Sequence, residues 1–102
     1  MADFTDRLRA YHIAKADLDR HQFGENPEGH EAELEFDKVT DRLSNIHTDA
    51  LDGLLLSKAE TRLQLLRKLE IIVAEEVHDN WHLSAPIMAL ALDDARRLIG
   101  GA

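Results

Sequence analysis

Three side chains that lie close together in the sequence have the types and spacing of metal ligands. Glu75 and His78 stand three residues apart, which is the Glu-x-x-His spacing of carboxylate-bridged di-iron bundles. His78 and His82 stand four residues apart, so that on one helix their two imidazoles could share a metal ion. These residues raise the hypothesis of a His/Glu metal-binding helical protein.

The helical positions of the same three side chains argue against a metal site. If each residue advances about 100° around the helix axis and Leu63 is placed at zero, the three side chains lie at angles between about 60° and 120°. The apolar face of the segment is centred near about 290°, on the other side of the helix. That difference predicts that all three are solvated. A di-iron bundle also needs a second inward Glu-x-x-His, which the chain does not offer. We therefore expect no cofactor and keep the metal site as the alternative.

Other catalytic patterns are missing from the sequence. The chain has no cysteine, which removes thiol catalysis, disulfides and iron–sulfur ligation. It also lacks a Gly-rich phosphate loop, a Gly-x-Ser-x-Gly elbow and a His-Glu-x-x-His pair. Phosphotransfer from an exposed histidine is also disfavoured. Asp49 follows His47 closely and Asp79 follows His78, and an acid beside the histidine would repel the phosphoryl group that it carries. We expect a protein that is not an enzyme.

Acidic side chains are concentrated in the first half of the chain. Residues 1–56 hold 13 acids and 6 bases, whereas residues 57–102 hold 7 acids and 6 bases. A negative field repels nucleic acid and anionic membranes, and it steers a protein with a basic surface toward the chain. The simpler alternative is a solvated helix face. The side chains expected to bind such a partner are Glu28, Glu31, Glu35, Asp37 and Asp41.

Apolar residues recur at helical spacing throughout the chain. Clusters of glycine and proline divide it into four segments, which cover about residues 3–21, 29–54, 57–80 and 84–99. Ser57 with Glu60 forms a capping-box pattern that predicts the start of the third helix, and Ser84 with Pro86 predicts the start of the fourth. The face of the third helix that is predicted to be buried consists of Ala59, Leu63, Leu66, Leu69, Val73 and Val77.

These segments predict a single all-α domain over residues 1–102. The second and third helices, each roughly 35–39 Å long at about 1.5 Å per residue, form a central hairpin that turns near Gly53. The two shorter helices pack across it, and Trp81 closes one end of the bundle against the fourth helix. Because the two long helices carry apolar seams of unequal width, a homodimer is the expected assembly.

Composition indicates a soluble protein. Hydrophobic residues make up 44% and charged residues 31% of the chain, and its formal net charge is −8. No apolar run approaches the roughly 20 residues that span a bilayer. The acidic start lacks the basic and apolar regions of a signal peptide, so we expect a cytoplasmic location.

The segment from Asp52 to Ile72, DGLLLSKAETRLQLLRKLEII, resembles part of a family of short uncharacterised helical proteins from bacterial genomes and prophage regions. In that family a Thr-Pro-Ala-Pro turn opens a helix that ends in a Lys-Leu-Glu core. This chain has Lys58 and Glu60 where the family carries proline. The resemblance covers about a fifth of the chain and implies a helical bundle in a mobile-element setting, without a known activity. In such a setting, one expected function is the binding and inhibition of a host factor.

Overall fold

A computed structural model describes residues 3–24 and 27–100 of the protein. Across these residues the chain forms five α-helices, which are α1 (Phe4–Gln22), α2 (His30–Leu55), α3 (Arg62–Ala74), α4 (Val77–Asn80) and α5 (Ser84–Leu98). No β-strand occurs within these two described stretches. The all-α prediction is therefore confirmed. In the described part of the chain, no helix is both long and apolar enough to cross a membrane.

Helices α1 and α2 form the main helix pair and run antiparallel. His21, near the end of α1, stacks on Phe36 in the first half of α2, with ring centroids 4.2 Å apart. Earlier on α1, Tyr11 lies against His47 further along α2, with ring centroids 5.8 Å apart. The predicted central hairpin of the second and third helices is not confirmed, because α1 and not α3 is the helix that lies along α2.

The third helix begins later than its predicted cap. The side chain of Thr61 accepts a hydrogen bond from the backbone N–H of Gln64 at 3.1 Å, and the Gln64 side chain accepts one from the N–H of Glu60 at 2.8 Å. The Thr61–Gln64 pair therefore caps α3, and the capping box predicted at Ser57 and Glu60 is wrong. The Ser57 hydroxyl instead donates to the Leu54 carbonyl at 2.6 Å, at the end of α2.

The segment predicted as one helix from residue 57 to residue 80 is divided in two. Helix α3 ends at Ala74, and Glu76 adopts the left-handed conformation with φ 55° before α4 begins. Helix α5 begins at Ser84 with Pro86 in its first turn, as predicted, but Leu83 is its N-cap and makes no side-chain capping bond. The break at Glu76 turns the chain so that α4 and α5 pack back on α3.

The hydrophobic core lies where the two ends of the chain meet the C-terminal part of α2. Its buried members are Phe4, Tyr11, Leu51, Leu54, Leu55, Ile71, Ile72, Val77, Ile87 and Ala91. Trp81 and Leu83 pack against this cluster and are partly buried. The core therefore joins every helix at one end of the molecule.

The predicted orientation of α3 is wrong. Leu63, Leu66 and Val73 are 62%, 52% and 65% exposed, although all three were predicted to be buried. The side chains that α3 buries are Leu65, Lys68, Ile71 and Ile72. The apolar pattern does not separate the two sides because leucine and isoleucine occur all around this helix. Lys68 is buried although it is charged, because it has an ionic partner, Asp94, on α5.

The molecule is elongated. Its radius of gyration is 16.3 Å and its principal extents are 61 × 25 × 21 Å, whereas a compact domain of this length has a radius of gyration of about 13 Å. The core lies at one end, and the α1–α2 pair extends from it. The first six residues of α2, His30–Glu35, are exposed on every side of the helix.

Candidate functional site

Glu75 joins three helices. Its Oε1 accepts hydrogen bonds from the Tyr11 hydroxyl at 3.2 Å and from Lys15 Nζ at 3.1 Å, both on α1. Its Oε2 lies 3.0 Å from Nε2 of His47 on α2, an ion-pair distance without the alignment of a hydrogen bond. The Glu75 and His47 side chains are only 11% and 13% exposed. Glu75 thus ties the end of α3 to both long helices.

The environment of Glu75 also determines its ionisation. The contact with His47 is the main reason why the pKa of Glu75 is lowered to about 2, and Lys15 lowers it further, while burial acts in the opposite direction. Burial, and then the charge of Glu75, raises the pKa of Tyr11. At neutral pH Glu75 is therefore a carboxylate and Tyr11 a neutral phenol. This arrangement holds the three helices together.

The three predicted metal ligands do not form one site. Glu75, which was predicted to be solvated, is buried in the cluster just described. His78 is exposed on α4, and Nε2 of His82 lies 2.9 Å from Oδ2 of Asp52. The spacing argument assumed one continuous helix, and the break at Glu76 removes that assumption. Across residues 3–24 and 27–100, no group of three or more His, Asp or Glu side chains is arranged to hold a metal ion.

Asp52 is a structural residue that the sequence analysis did not identify. Its Oδ1 accepts a hydrogen bond from Trp81 Nε1 at 2.7 Å, and its Oδ2 contacts His82. Trp81 thus packs on the core with its polar edge fixed to α2. The available signal was the position of Asp52 in the last turn of α2, because an acid is unfavourable at that end of a helix unless it has a specific partner.

A second polar cluster lies inside the α3–α5 contact. Lys68 Nζ donates to Asp94 Oδ2 at 2.7 Å and to the Ser57 carbonyl at 2.8 Å. Arg97 pairs with the other oxygen of Asp94 and donates to the Ala59 carbonyl at 2.9 Å. Burial lowers the pKa of Lys68, and the bond to Asp94 opposes that shift. The bonds to the Ser57 and Ala59 carbonyls fasten the loop before α3. The Lys68 and Asp94 side chains are completely buried, so this pair has no access to ligands.

A shallow groove of about 450 Å³ runs between α1 and α3. Apolar Leu8 and Ile71 line it together with the charged side chains of Lys15, Arg67 and Glu70. Lys15 is paired with Glu75, and Arg67 lies 3.3 Å from Glu70. The charges in the groove are thus matched within the chain, so the groove has no charge that calls for a particular ligand.

One group of exposed acids lies at the end of the molecule that projects from the core. We call residues 28–41 the acidic arm; it contains six acids and one lysine. The five residues predicted to bind a partner are all exposed, namely Glu28, Glu31, Glu35, Asp37 and Asp41. Only Glu35 has a basic neighbour, with Lys38 Nζ 3.4 Å away on the surface. Glu25, which extends the acidic stretch in the sequence, lies outside the described residues.

The opposite side of the arm is fixed to α1. His21 Nε2 lies 2.8 Å from the Thr40 hydroxyl and 3.2 Å from the Phe36 carbonyl, and its ring stacks on that phenylalanine. These contacts fix the second half of the arm to α1, whereas His30–Glu35 are exposed on every side of the helix. The arm is therefore a negatively charged surface that is anchored at Phe36 and Thr40.

Helix α3 carries an exposed apolar surface at the other end of the molecule. We call it the α3 stripe, and it consists of Leu63, Leu66, Leu69 and Val73. Leu69, the least exposed of the four, is still 39% exposed. Contiguous exposed apolar side chains of this kind mark interaction surfaces more often than isolated ones do.

Within residues 3–24 and 27–100, the acidic arm and the α3 stripe are two exposed surfaces of distinct chemistry, and the clusters around Glu75 and Lys68 hold the helices in place. No protein-family model, no curated protein and no solved structure matches the chain.

Proposed function

We propose that this protein is a non-catalytic helical interaction protein that binds a basic surface of another protein through its acidic arm. The observation that carries the proposal is the exposure of all five predicted acids. Glu28 lies just before α2 and the other four lie in its first half, and Lys38 is the only lysine or arginine among residues 28–41. Such a surface repels nucleic acid and anionic membranes and attracts a cationic partner.

A favourable effect on helix stability explains only some of the acidic residues in the arm. Glu31 and Glu33 lie in the first turn of α2, where acids interact favourably with the helix dipole. Asp37 and Asp41 lie beyond that turn, where the dipole effect has faded and like charges repel each other. These later acids therefore weaken the isolated helix slightly, and a cationic partner gives them a physical role.

The internal titratable groups support a non-catalytic role. Glu75, Lys68 and Asp94 are each engaged by partners on other helices or in the preceding loop. The Lys68–Asp94 pair is closed to solvent, and the partners of Glu75 hold it ionised. Groups with this arrangement stabilise the fold, whereas an acid–base catalyst needs a pKa near its working pH and access to substrate.

The partner that fits best is a protein with a cationic groove. Acidic side chains on a rigid helix can occupy a groove that otherwise binds nucleic acid. Because part of the chain resembles short prophage proteins, we propose more specifically that the protein inhibits a host factor. The protein would then act by covering the partner's basic surface.

The test is capture of proteins from a lysate on the untagged immobilised chain, with two matched variants. The arm variant carries Glu31→Gln, Glu35→Gln, Asp37→Asn and Asp41→Asn. The control variant removes four exposed acids elsewhere, with Glu60→Gln, Glu76→Gln, Asp79→Asn and Asp93→Asn. Both variants have the same net charge, so they differ only in where the charge was lost.

We expect wild type and the control variant to retain the same basic proteins at low salt and to release them at high salt, because ions screen surface charges. We expect the arm variant to lose them, with at least a tenfold weaker affinity for a purified captured protein. Equal retention by both variants, or capture that does not depend on salt, would contradict the proposal.

A further inference from the structure

The α3 stripe is a regular apolar surface that the helices leave uncovered. Its four side chains occur within eleven residues of one helix. Other exposed apolar residues on the two long helices, such as Ile13, Leu34 and Ile46, are isolated from one another along the chain. The stripe is also the face that apolar periodicity predicts to be buried, and within a single chain it stays exposed.

The total surface of the chain is large enough for a further interface. The chain exposes 7001 Å², whereas a globular monomer of 11.5 kDa exposes about 5,800 Å². The difference of about 1,200 Å² reflects the elongated shape of the whole chain, including the projecting α1–α2 pair. It leaves room for an interface of standard size, to which each partner contributes about 800 Å².

The spacing of the stripe is symmetric along α3. Leu63 and Val73 lie five residues on either side of position 68, and Leu66 and Leu69 lie within two residues of it. A two-fold axis at this position would bring Leu63 of one copy against the partner's Val73, and Leu66 against the partner's Leu69. A surface that matches itself in this way is what a two-fold interface requires.

The charges beside the stripe have the same symmetry. Arg67 and Glu70 lie on one flank of it, and both are about half exposed. In an antiparallel helix pair, residues on the same flank face each other, so Arg67 would lie opposite the partner's Glu70. The two copies would therefore form two complementary charge contacts at the edge of an apolar centre, as in many protein interfaces.

We infer that the α3 stripe is the interface of a symmetric homodimer in which the α3 helices of two copies pack antiparallel. The occupant of the stripe is a second copy of this chain, and the acidic arms extend from the dimer at a distance from the interface. His47 marks the level along α2 at which α3 ends, because it contacts Glu75. Leu34 on the arm lies 13 residues from His47, or about 20 Å along α2 at about 1.5 Å per residue. Dimer formation and partner binding by the arm thus use separate surfaces and can be tested independently.

The first test is sedimentation equilibrium of the purified chain over a range from micromolar to several hundred micromolar. We expect wild type to approach about 23 kDa, twice the chain mass of 11.5 kDa. Leu66→Glu should remain at the mass of one chain, because each dimer would bury two carboxylates. Leu34→Glu is the control, since Leu34 is similarly exposed but lies on the arm, and it should dimerise like wild type.

The second test uses the flanking charges and avoids any change to the apolar stripe. Arg67→Glu alone and Glu70→Arg alone should each weaken self-association at least tenfold, because like charges would meet across the axis. An equimolar mixture of the two variants should form a heterodimer at wild-type strength, since opposite charges then face each other at both edges.

Wild type that sediments as a single chain throughout would overturn the inference and would leave the stripe for a different protein. A dimer that persists in Leu66→Glu would overturn it as well, because the interface would then lie elsewhere. Failure of the two charge variants to associate with each other would contradict the antiparallel arrangement.

Discussion

Lys68 and Asp94 form an ion pair with no solvent exposure on either side chain, and the lysine Nζ lies 2.7 Å from the carboxylate Oδ2. The pair connects α3 to α5, and the two residues differ in the charge of their other polar partners. Asp94 is also paired with Arg97, whereas Lys68 has only the neutral carbonyl of Ser57 as a further partner. The loss of one member of the pair should therefore not cost the same as the loss of the other.

Asp94→Asn should destabilise the protein more than Lys68→Met. Removal of the carboxylate leaves a buried ammonium group without a counter-ion, which costs about 3–5 kcal/mol. Lys68→Met should cost less, because Asp94 keeps Arg97 and methionine fills the space of the lysine stem. Urea unfolding at neutral pH measures both values. Equal losses, or a larger loss for Lys68→Met, would show that the neighbours of the pair do not have these roles.

Glu75 should make the stability of the protein depend on acid pH. Its pKa in the folded state is about 2, below the ordinary value of 4.5. A lowered carboxyl pKa contributes stability that is complete above the unfolded value and is lost as pH falls through about 4.5 toward 2. The contribution should be about 1–3 kcal/mol. Unfolding free energies measured at intervals between neutral pH and the acid limit give this dependence.

Glu75→Gln should remove that part of the pH dependence and destabilise the protein at neutral pH. The amide has no charge to offer Lys15, whose ammonium group stays close to it, and the His47 ring loses its contact with a carboxylate. Glu76→Gln is the matched control, because Glu76 is the next residue, is exposed and has the same shape. If the two variants respond to acid in the same way, the Glu75 cluster does not stabilise the junction of the three helices.

Glu76→Gly should stabilise the protein. Glu76 ends α3 with φ 55°, a conformation that costs a side-chain-bearing residue about 1–2 kcal/mol and glycine very little. Part of this gain is offset by the greater freedom of glycine in the unfolded chain, so we expect a net gain of about 0.5–1 kcal/mol. Thermal unfolding measures it.

The control for that substitution is Ala89→Gly, which places glycine at an exposed position within α5. It should destabilise the protein by about 1 kcal/mol, because its backbone is an ordinary helix. A loss of stability in both variants would mean that the left-handed conformation at Glu76 is not strained.

Added Zn²⁺ should leave the melting temperature of the untagged protein unchanged, and His78→Ala should not alter that result. The reason is that Glu75 contacts Lys15 and His47 while His82 contacts Asp52, so the three predicted ligands face different partners. Differential scanning calorimetry with Zn²⁺ and with a chelator makes the measurement. A rise in melting temperature with Zn²⁺ that disappears in His78→Ala would restore the metal-binding alternative.

Apolar periodicity, together with the glycine and proline clusters, was sufficient to locate three of the helices in the sequence. The predicted first, second and fourth segments correspond closely to α1, α2 and α5. The exposure of the acidic arm was also predictable, because a charged side chain without a partner stays in water by default. No long-range contact was needed for either conclusion.

The orientation of α3 and the role of Glu75 depend on contacts that are distant in the sequence. Lys68 and Asp94 are 26 residues apart, and Glu75 lies 60 residues from Lys15 and 64 from Tyr11. A lysine or glutamate without a known partner is assigned to the surface, and only the folded chain shows that these two are paired inside. The same pairing turns the apolar residues of the α3 stripe outward.

The most direct measurement of partner binding is the association rate constant between this chain and a captured basic protein, followed as ionic strength rises. If the acidic arm guides the encounter, the rate for wild type should fall steeply with salt. The arm variant should then start lower and show a much flatter dependence, while the control variant should follow wild type. Equal slopes for the arm variant and wild type would contradict the account, because the charges of the arm would then have no part in binding.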